Sequence, residues 1–352
     1  MASAEGSPLA RWLETVSRIG GKPSDDTGAF ADLQCVLCPH RCRIRAGQAG
    51  RCGVRFNDKG KPSLPYWARI SSLALDPMEK KPLYHFRPGT RVLSVGFVGC
   101  NLTCPFCQNW TISQSTDAAT RLLEPAALVQ EAERIGAQSL AYTYSEPLIH
   151  IEYLVEVMEL ARAKGIANVL VTNGCILEGP ARELLALTDA ANVDLKSGNR
   201  ETFARTLGGD LETTQRFITL AHEAGVHLEA TTLVVPALND TPAELDGCAD
   251  FLSALSPDLP WHLSAYHPDY RWQSPSTDPE ALETIATGAR KKLRYVYVGN
   301  LRGETNDTLC PNCGCTVIRR EGYRIDTGDL MMDPQTSVYT CAHCGARLPI
   351  RW

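Results

Sequence analysis

Short apolar runs alternate with helix-like patterns over the middle of the chain, from about residue 67 to residue 300. The apolar runs predict strands at 92–98, 139–143, 168–172, 191–195, 226–235, 261–266 and 294–298. The segments between them carry apolar residues at helical spacing and predict helices at 125–136, 148–164, 179–187, 211–224, 241–255 and 278–291. This alternation is typical of parallel strands joined by crossover helices. Because the strands are almost continuously apolar, we expect a sheet buried on both faces, in a partial or full (β/α) barrel.

Cysteine-rich segments flank this central region on both sides. We expect an N-terminal segment over 1–66, a barrel over 67–300 and a small C-terminal domain over 301–352. Within the first segment, the apolar spacing at 8–19 predicts a short amphipathic helix.

Composition narrows the class of protein without naming a function. The chain has 352 residues, 44% of them hydrophobic and 21% charged, which are ordinary values for a globular protein. The net charge of −5 argues against a surface for nucleic acid or membrane. No apolar run approaches the roughly 18–20 residues of a transmembrane helix, and the N-terminus lacks the pattern of a signal peptide. We therefore expect a cytoplasmic protein.

Fourteen cysteines are too many for inert packing in such a protein, and they indicate metal ligands rather than disulfides. They form three groups, at 35–52, 100–107 and 310–344, and only Cys175 and Cys248 stand apart.

The middle group lies in the loop that follows the first predicted strand. Cys100, Cys104 and Cys107 have the spacing C-x3-C-x2-C within G-C-N-L-T-C-P-F-C-Q-N-W, residues 99–110. Three thiolates can hold three irons of a cubane cluster. Without a fourth ligand in the loop, one metal position stays open, which suits chemistry more than structure. A structural zinc knuckle or part of a ferredoxin ligand set is the alternative.

This loop resembles that of the radical S-adenosylmethionine (SAM) enzymes. The resemblance implies a 4Fe–4S cluster whose fourth iron binds the amino and carboxylate groups of SAM. It also implies that an electron from the cluster splits SAM and yields a 5′-deoxyadenosyl radical, which abstracts a hydrogen atom. The aromatic residue before the third cysteine of the family pattern is Phe106 here, and the resemblance implies that it is one of the cofactor-binding residues.

The resemblance extends to polar residues after the following strands, for which it implies contacts with SAM. Glu146, in T-Y-S-E-P, is matched to the residue that contacts the amino group, although a helix-capping role is the alternative. Asn173 is matched to a site position, with plain turn chemistry as the alternative. Asp194 and Lys196 are matched to a D-x-K pair near the SAM carboxylate, with a structural ion pair as the alternative.

Four further side chains are weaker candidates for substrate contacts, because each also fits an ordinary structural role. They are Lys81, His85, His267 and Tyr270.

Both outer groups offer four thiols. The N-terminal group has the spacing C-x2-C-x3-C-x9-C and suits zinc or an iron–sulfur cluster in a closed, structural site. Its members are Cys35, Cys38, Cys42 and Cys52. The C-terminal group consists of two C-x2-C-G knuckles and predicts a zinc-ribbon or rubredoxin-like domain, with zinc as the first choice and iron as the second. Its members are Cys310, Cys313, Cys341 and Cys344.

The order of all these motifs resembles the radical SAM member of the AmmeMemoRadiSam system, a relative of the pyruvate formate-lyase activating enzymes. The implied fold is a partial (β/α) radical SAM barrel between the two cysteine-rich parts. The implied partners are a substrate, either a small molecule or a protein, and a reductase or flavodoxin-like electron donor. A glycyl-radical activating enzyme is one alternative, although those enzymes lack the ribbon. The alternatives of other classes are a metal-dependent partner-binding module and an electron carrier.

Overall fold

The computed structural model describes residues 10–15, 30–301 and 306–352. Its centre is one eight-stranded sheet in which the strands follow one another in chain order. The strands are β1 (Ser72–Pro77), β2 (Arg91–Gly96), β3 (Ser139–Thr143), β4 (Ala167–Thr172), β5 (Ala190–Asp194), β6 (His227–Val234), β7 (Trp261–Ala265) and β8 (Val296–Gly299). Strands β2 to β8 are parallel, and β1 lies antiparallel to β2 at the edge. The seven predicted strands are confirmed, and β1 is an addition.

Six helices connect the parallel strands as predicted. They are α1 (Pro125–Arg134), α2 (Ile151–Ala163), α3 (Glu178–Leu185), α4 (Leu211–Glu223), α5 (Pro242–Leu255) and α6 (Pro279–Ala289). Local sequence sets several of their starts: proline opens α1, α5 and α6, and Asp210 caps α4 by accepting a hydrogen bond from the Thr213 amide. Shorter turns lie at Met78–Lys80, Trp110–Ser113, Pro147–His150 and Thr202–Leu207.

The register of the sheet brings the carboxyl ends of its strands to one edge. Thr143 pairs with Gly96, Thr172 with Val193, and Asp194 with Thr231. The loops that follow these strands therefore meet there, which is where such folds place their chemistry. The sheet does not close, because β1 and β8 remain unpaired edges of an open, partial barrel.

The N-terminal segment is built from short strands. Leu13–Thr15 pairs antiparallel with Leu33–Cys35, which in turn pairs with Arg43–Ile44. The predicted helix is wrong where it can be compared, at residues 10–15; its remaining residues, 8, 9 and 16–19, lie outside the described part. An isolated helix of that length is marginal, and the strand buries Leu13 while its backbone bonds to a neighbour.

Two further antiparallel pairs of short strands are present. Phe56–Asp58 pairs with Lys61–Ser63, and Arg69–Ile70 pairs with Arg121–Leu122.

The C-terminal part forms two three-stranded sheets around a small core of its own. Their strands are Thr308–Leu309, Thr316–Glu321, Arg324–Asp326, Leu330–Met332, Tyr339–Cys341 and Arg347–Leu348.

This part docks on the amino-terminal end of the barrel. The buried Arg320 donates to the Tyr84 carbonyl at 2.7 Å, and Arg351 donates to the Gly225 carbonyl, just before β6, at 2.7 Å. It therefore sits at the opposite end of the sheet from the loops that follow the strands. No described helix combines the length and apolar character that crossing a membrane requires.

Candidate active site and metal centres

The cysteine loop leaves the carboxyl end of β2 through a constrained glycine. Gly99 has φ +83°, and a Cβ there would collide with the carbonyl oxygen of Cys52. The Gly99 amide donates to the Ile112 carbonyl at 2.8 Å, so the helical turn Trp110–Ser113 closes the loop. This glycine allows the N-terminal segment to pack directly against the cysteine loop.

The three cysteines of this loop stand at the edge where the strand ends meet. Cys104 is buried, and Cys100 and Cys107 are partly exposed. The Leu102 amide donates to Cys100 Sγ at 3.3 Å, and Cys107 Sγ lies 3.1 Å from the Ser113 hydroxyl. Sulfur atoms supplied with such polar partners are suited to act as thiolate ligands.

The spacing of the sulfurs distinguishes two kinds of metal site. In the described part of the chain, only one group of three or more potential metal ligands has all its ligand atoms within 4.8 Å of one another, and that group is at the C-terminal end. At least one pair of the three loop sulfurs is therefore more than 4.8 Å apart, farther than the roughly 3.8 Å that Zn–S bonds of about 2.3 Å impose in a tetrahedron. A cubane binds each thiolate through a different iron, so the wide spacing fits a cluster better than one ion.

Burial disfavours the thiolate form of Cys100 and Cys104 unless a cation binds them. Burial raises the pKa of Cys100, and the neighbouring Glu146 carboxylate raises it further. Burial also raises the pKa of Cys104 to about 12, although Lys196 opposes the rise. A bound metal would reverse this by favouring the deprotonated form.

Glu146 occupies the end of β3 and is fully enclosed by hydrogen-bond donors. Its carboxylate accepts from the Leu148 amide at 3.0 Å, the Thr172 hydroxyl at 2.6 Å and the Asn173 amide at 2.9 Å. Burial raises the pKa of Glu146 to about 7 despite these donors. The helix-capping role is present, since Glu146 precedes the turn Pro147–His150 and accepts from its Leu148 amide, and the same carboxylate also lies close to Cys100 of the cysteine loop.

Asn173 connects Glu146 to that loop. Its side-chain amide lies 3.7 Å from Cys100 Sγ and donates to the Asn101 side chain at 3.0 Å, while its own backbone amide donates to Glu146. Asn173 therefore does more than form a turn, because it holds the ends of β2, β3 and β4 in one network.

Asp194 and Lys196 form an ion pair of 2.8 Å beside the same loop. Burial alone would lower the pKa of Lys196, but Asp194 and the thiol group of Cys104, when ionised, raise it above its ordinary value. The two side chains remain 32% and 18% exposed, so both can still contact a ligand.

The other predicted residues fall outside this network. Phe106 is buried in the core beneath the loop. Lys81 pairs with Asp76 at 2.6 Å, and His85 hydrogen-bonds Tyr297 at 2.6 Å near the amino-terminal end of the sheet. His267 is exposed and contacts Ser276 and Asn300.

An aromatic stack at the rim of the cysteine loop was not predicted from the sequence. Tyr270 stacks on Trp110 with ring centres 5.2 Å apart, and the Arg271 guanidinium lies over the Tyr270 ring. The Arg271 amide also donates to Pro105 at 2.9 Å, which ties the segment after β7 to the cysteine loop. Tyr270 was a candidate from sequence, but its stacking on a residue 160 positions away has no local signal.

The four C-terminal cysteines form a compact site. Cys310 Sγ lies 3.6 Å from Cys344 Sγ, and Cys313 Sγ lies 3.7 Å from Cys341 Sγ. These separations match the roughly 3.8 Å expected for four thiolates around one tetrahedral ion. The fifth cysteine, Cys315, is not part of the group.

Comparison with known proteins agrees with this geometry. The model of the radical SAM superfamily matches residues 94–252. The uncharacterized protein MJ0808 of Methanocaldococcus jannaschii is 37% identical over 324 residues, which cover 90% of this chain and 95% of that protein. The pyruvate formate-lyase-activating enzyme of Clostridium pasteurianum is 23% identical over 184 residues, or 51% of this chain and 76% of that enzyme.

Among solved structures, Streptococcus suis SuiB bound to S-adenosylmethionine is similar in fold, with a TM-score of 0.50 and 13% identity over 64% of this chain and 53% of that one. These similarities confirm the predicted fold class, the relationship to pyruvate formate-lyase activating enzymes and the prediction of an enzyme. Membership of the superfamily implies a 4Fe–4S cluster and SAM as cofactors. The chain belongs to the radical SAM superfamily.

Proposed function

We propose that the protein cleaves SAM reductively at a 4Fe–4S cluster held by Cys100, Cys104 and Cys107, and that it is the radical SAM member of an AmmeMemoRadiSam system. When bound, the cluster supplies the electron that splits SAM to methionine and a 5′-deoxyadenosyl radical for hydrogen abstraction. The observation that carries the proposal is the network from Cys100 through Asn173 to Glu146, which places the predicted cluster and SAM residues at one edge of the sheet.

Glu146 is the proposed partner of the SAM amino group. A buried carboxylate with a pKa near 7 is costly to ionise, and a cation beside it would lower that cost. Asp194 and Lys196 are the proposed contacts near the SAM carboxylate, since they are partly exposed and lie beside Cys104. We assign Phe106 the task of supporting the loop from beneath, because it is buried.

Zinc is the proposed metal of the C-terminal domain. The four sulfurs are close enough for a single ion, and the domain docks at the end of the barrel away from the cysteine loop. A closed four-thiolate shell at that distance suits a structural role.

The test is anaerobic SAM cleavage by protein reconstituted with iron and sulfide and reduced with dithionite. Wild type should release 5′-deoxyadenosine and methionine. Cys104→Ala should cut the yield more than about 100-fold, since even partners outside the ligand shell commonly account for 10–100-fold. Cys248→Ala, at a buried cysteine of α5 that is not part of the cysteine loop and packs against Gly198, is the matched control and should retain activity. No 5′-deoxyadenosine from fully loaded wild type would refute the proposal.

Similarity to pyruvate formate-lyase-activating enzymes favours a second candidate, activation of a glycyl-radical enzyme. Incubation with pyruvate formate-lyase, SAM and dithionite should then produce the electron paramagnetic resonance (EPR) doublet of a glycyl radical. The absence of that doublet, with SAM still cleaved, would exclude pyruvate formate-lyase as the target.

A further inference from the structure

One of the N-terminal cysteines already has a backbone donor at its sulfur. The Arg51 amide donates to Cys42 Sγ at 3.4 Å. Amide donors of this kind stabilise negative charge on sulfur. The same pattern occurs at Cys100 in the catalytic loop, through the Leu102 amide.

The four N-terminal sulfurs do not converge on one point as the C-terminal sulfurs do. No three of them lie within 4.8 Å of one another, whereas the four C-terminal sulfurs all do. One tetrahedral ion needs sulfurs about 3.8 Å apart. Four thiolates that each bind a different iron do not need to converge in this way.

A buried guanidinium compensates the charge that such a site would carry. Arg55 has no exposed surface, and it forms a two-pronged ion pair with Glu152 of α2, at 2.9 and 2.8 Å. Its positive charge also acts on Cys35 and Cys52. Arg55 Nε is buried and has no hydrogen-bond partner among the described residues. A buried donor of this kind calls for an acceptor, and cluster sulfur or thiolate provides one.

Three contacts connect this segment to the catalytic loop. The carbonyl of Cys52 lies against Gly99, the residue before Cys100. His40 Nε2 hydrogen-bonds the Asn101 carbonyl at 2.7 Å, and the Arg51 guanidinium donates to the Thr103 hydroxyl at 3.2 Å. The two cysteine sites are therefore neighbours, with no intervening element.

The exposed part of the segment is basic. Residues 30–63 contain seven arginine and lysine residues against two aspartates, in a chain whose net charge is −5, and all of the seven except the buried Arg55 are exposed. Four of the exposed arginines lie next to or between Cys42 and Cys52 along the chain: Arg41, Arg43, Arg45 and Arg51. A face of this charge attracts an acidic protein and speeds its docking.

We propose that Cys35, Cys38, Cys42 and Cys52 hold an iron–sulfur cluster rather than zinc, and that this segment is the electron entry site of the enzyme. An acidic, low-potential one-electron carrier docks on the arginines and is oxidised by one electron. That electron passes through the N-terminal site to the catalytic loop, where it breaks one C–S bond of SAM. The last step of this inference rests on the proposed SAM cleavage. The assignment of iron to the N-terminal site does not depend on SAM cleavage.

Metal analysis tests the first half. In Cys104→Ala, reconstituted anaerobically with iron and sulfide, we expect about four irons to remain and a reduced cluster to be visible by EPR. Adding Cys42→Ala should remove that iron and its signal, whereas adding Cys344→Ala should leave both. Zinc instead of iron at the N-terminal site, or iron that is lost with Cys344, would overturn the inference while leaving SAM cleavage by the wild type intact.

Charge reversal tests the second half without touching a ligand. The variant Arg41→Glu with Arg45→Glu should keep its iron and its dithionite-driven SAM cleavage, and its cleavage driven by reduced flavodoxin should fall at least tenfold. The control reverses two exposed cations away from this face, Lys291→Glu with Arg324→Glu. Equal rates of flavodoxin-driven SAM cleavage in the two variants would overturn the assignment of this face as the electron entry site. Loss of dithionite-driven cleavage in the wild type would instead count against the proposed function.

Discussion

The two four-cysteine regions look alike in sequence and differ in three dimensions. In the C-terminal domain the sulfurs converge to 3.6–3.7 Å, on a domain with its own core at the amino-terminal end of the barrel. In the N-terminal segment no three sulfurs lie within 4.8 Å of one another, the buried Arg55 lies close to Cys35, and the backbone touches the cysteine loop at Gly99. The number of thiols therefore does not decide the role of a site. The distances between the sulfurs and the element against which they pack do.

The largest expected effect follows from removing the C-terminal metal. Cys344→Ser should lose zinc and the fixed structure of residues 306–352, because binding of structural zinc contributes about 10–16 kcal/mol to folding in small zinc domains. Zinc content and limited proteolysis measure this. Dithionite-driven SAM cleavage should persist, since the domain docks away from the loop.

Cys315→Ser is the matched control for that variant, since Cys315 lies in the same domain but outside the four-sulfur group. Zinc loss in this control, or zinc retained in Cys344→Ser, would show that the ligand set is different.

A smaller but still large effect is expected in the N-terminal region. Arg55→Met should lower the free energy of unfolding by about 3–5 kcal/mol, because it leaves the buried Glu152 carboxylate without its partner. Urea unfolding of the reconstituted protein measures the change.

The exposed pair on α1 provides the comparison. Arg134→Met breaks its pairing with Glu131 and should lower the free energy of unfolding by no more than about 1 kcal/mol. Equal effects of the two variants would mean that Arg55 is not held in a buried ion pair.

Acid should weaken the carboxyl-terminal edge of the barrel through His150, which bonds the Val98 carbonyl at 2.9 Å just before the cysteine loop. Burial lowers the pKa of His150 to about 4, against about 6.5 in the unfolded chain. The unfolded state thus binds more protons between these values. The stabilisation is complete above pH 6.5 and is lost as the pH falls towards 4.

Between pH 7 and pH 5 this one group should lower the free energy of unfolding by about 2 kcal/mol. His150→Asn should reduce that pH dependence, as measured by urea unfolding at both pH values. His222→Asn, at an exposed histidine of α4, should leave it unchanged. Identical pH profiles for wild type and His150→Asn would contradict this assignment.

The smallest effects are expected at single hydrogen bonds to sulfur. Ser113→Ala removes the hydroxyl beside Cys107, and Asn312→Ala removes an amide that lowers the pKa of Cys344. Each bond should contribute about 0.5–1.5 kcal/mol, so metal release to a chelator should quicken by up to about tenfold. Ser113→Ala should affect iron alone and Asn312→Ala zinc alone. A crossed effect would mean that the two sites are coupled.

Much of the fold was predictable because its signals are local. The runs at 139–143 and 261–266 became β3 and β7 almost unchanged, since a strand covered on both faces needs apolar residues throughout. The edge strand β1 was missed, because most of its residues are only partly buried and its pattern is correspondingly weak. The predicted helix at 8–19 was wrong over residues 10–15, where pairing with Leu33–Cys35 overrides the helical spacing.

The candidate site was also predictable only in part. Glu146 and Asn173 were proposed from the segments around them, but their contact with each other and with Cys100 joins residues up to 73 positions apart. Nothing in the sequence near Arg55 indicated Glu152, 97 positions away. Such pairs form only when the sheet brings separate loops to one edge.

The sequence alone determined the candidate metal ligands and their spacing along the chain, the alternation of strands and helices, and the family. These depend on local motifs and on local periodicity, which can be seen along the chain. Only the tertiary structure decided which cysteine site adjoins the catalytic loop, whether four sulfurs converge on one point, and which buried charges pair. Those features depend on distances between loops, which are set by the register of the parallel strands. Burial adds to this, because a buried charge needs a partner to offset the cost of removing it from water.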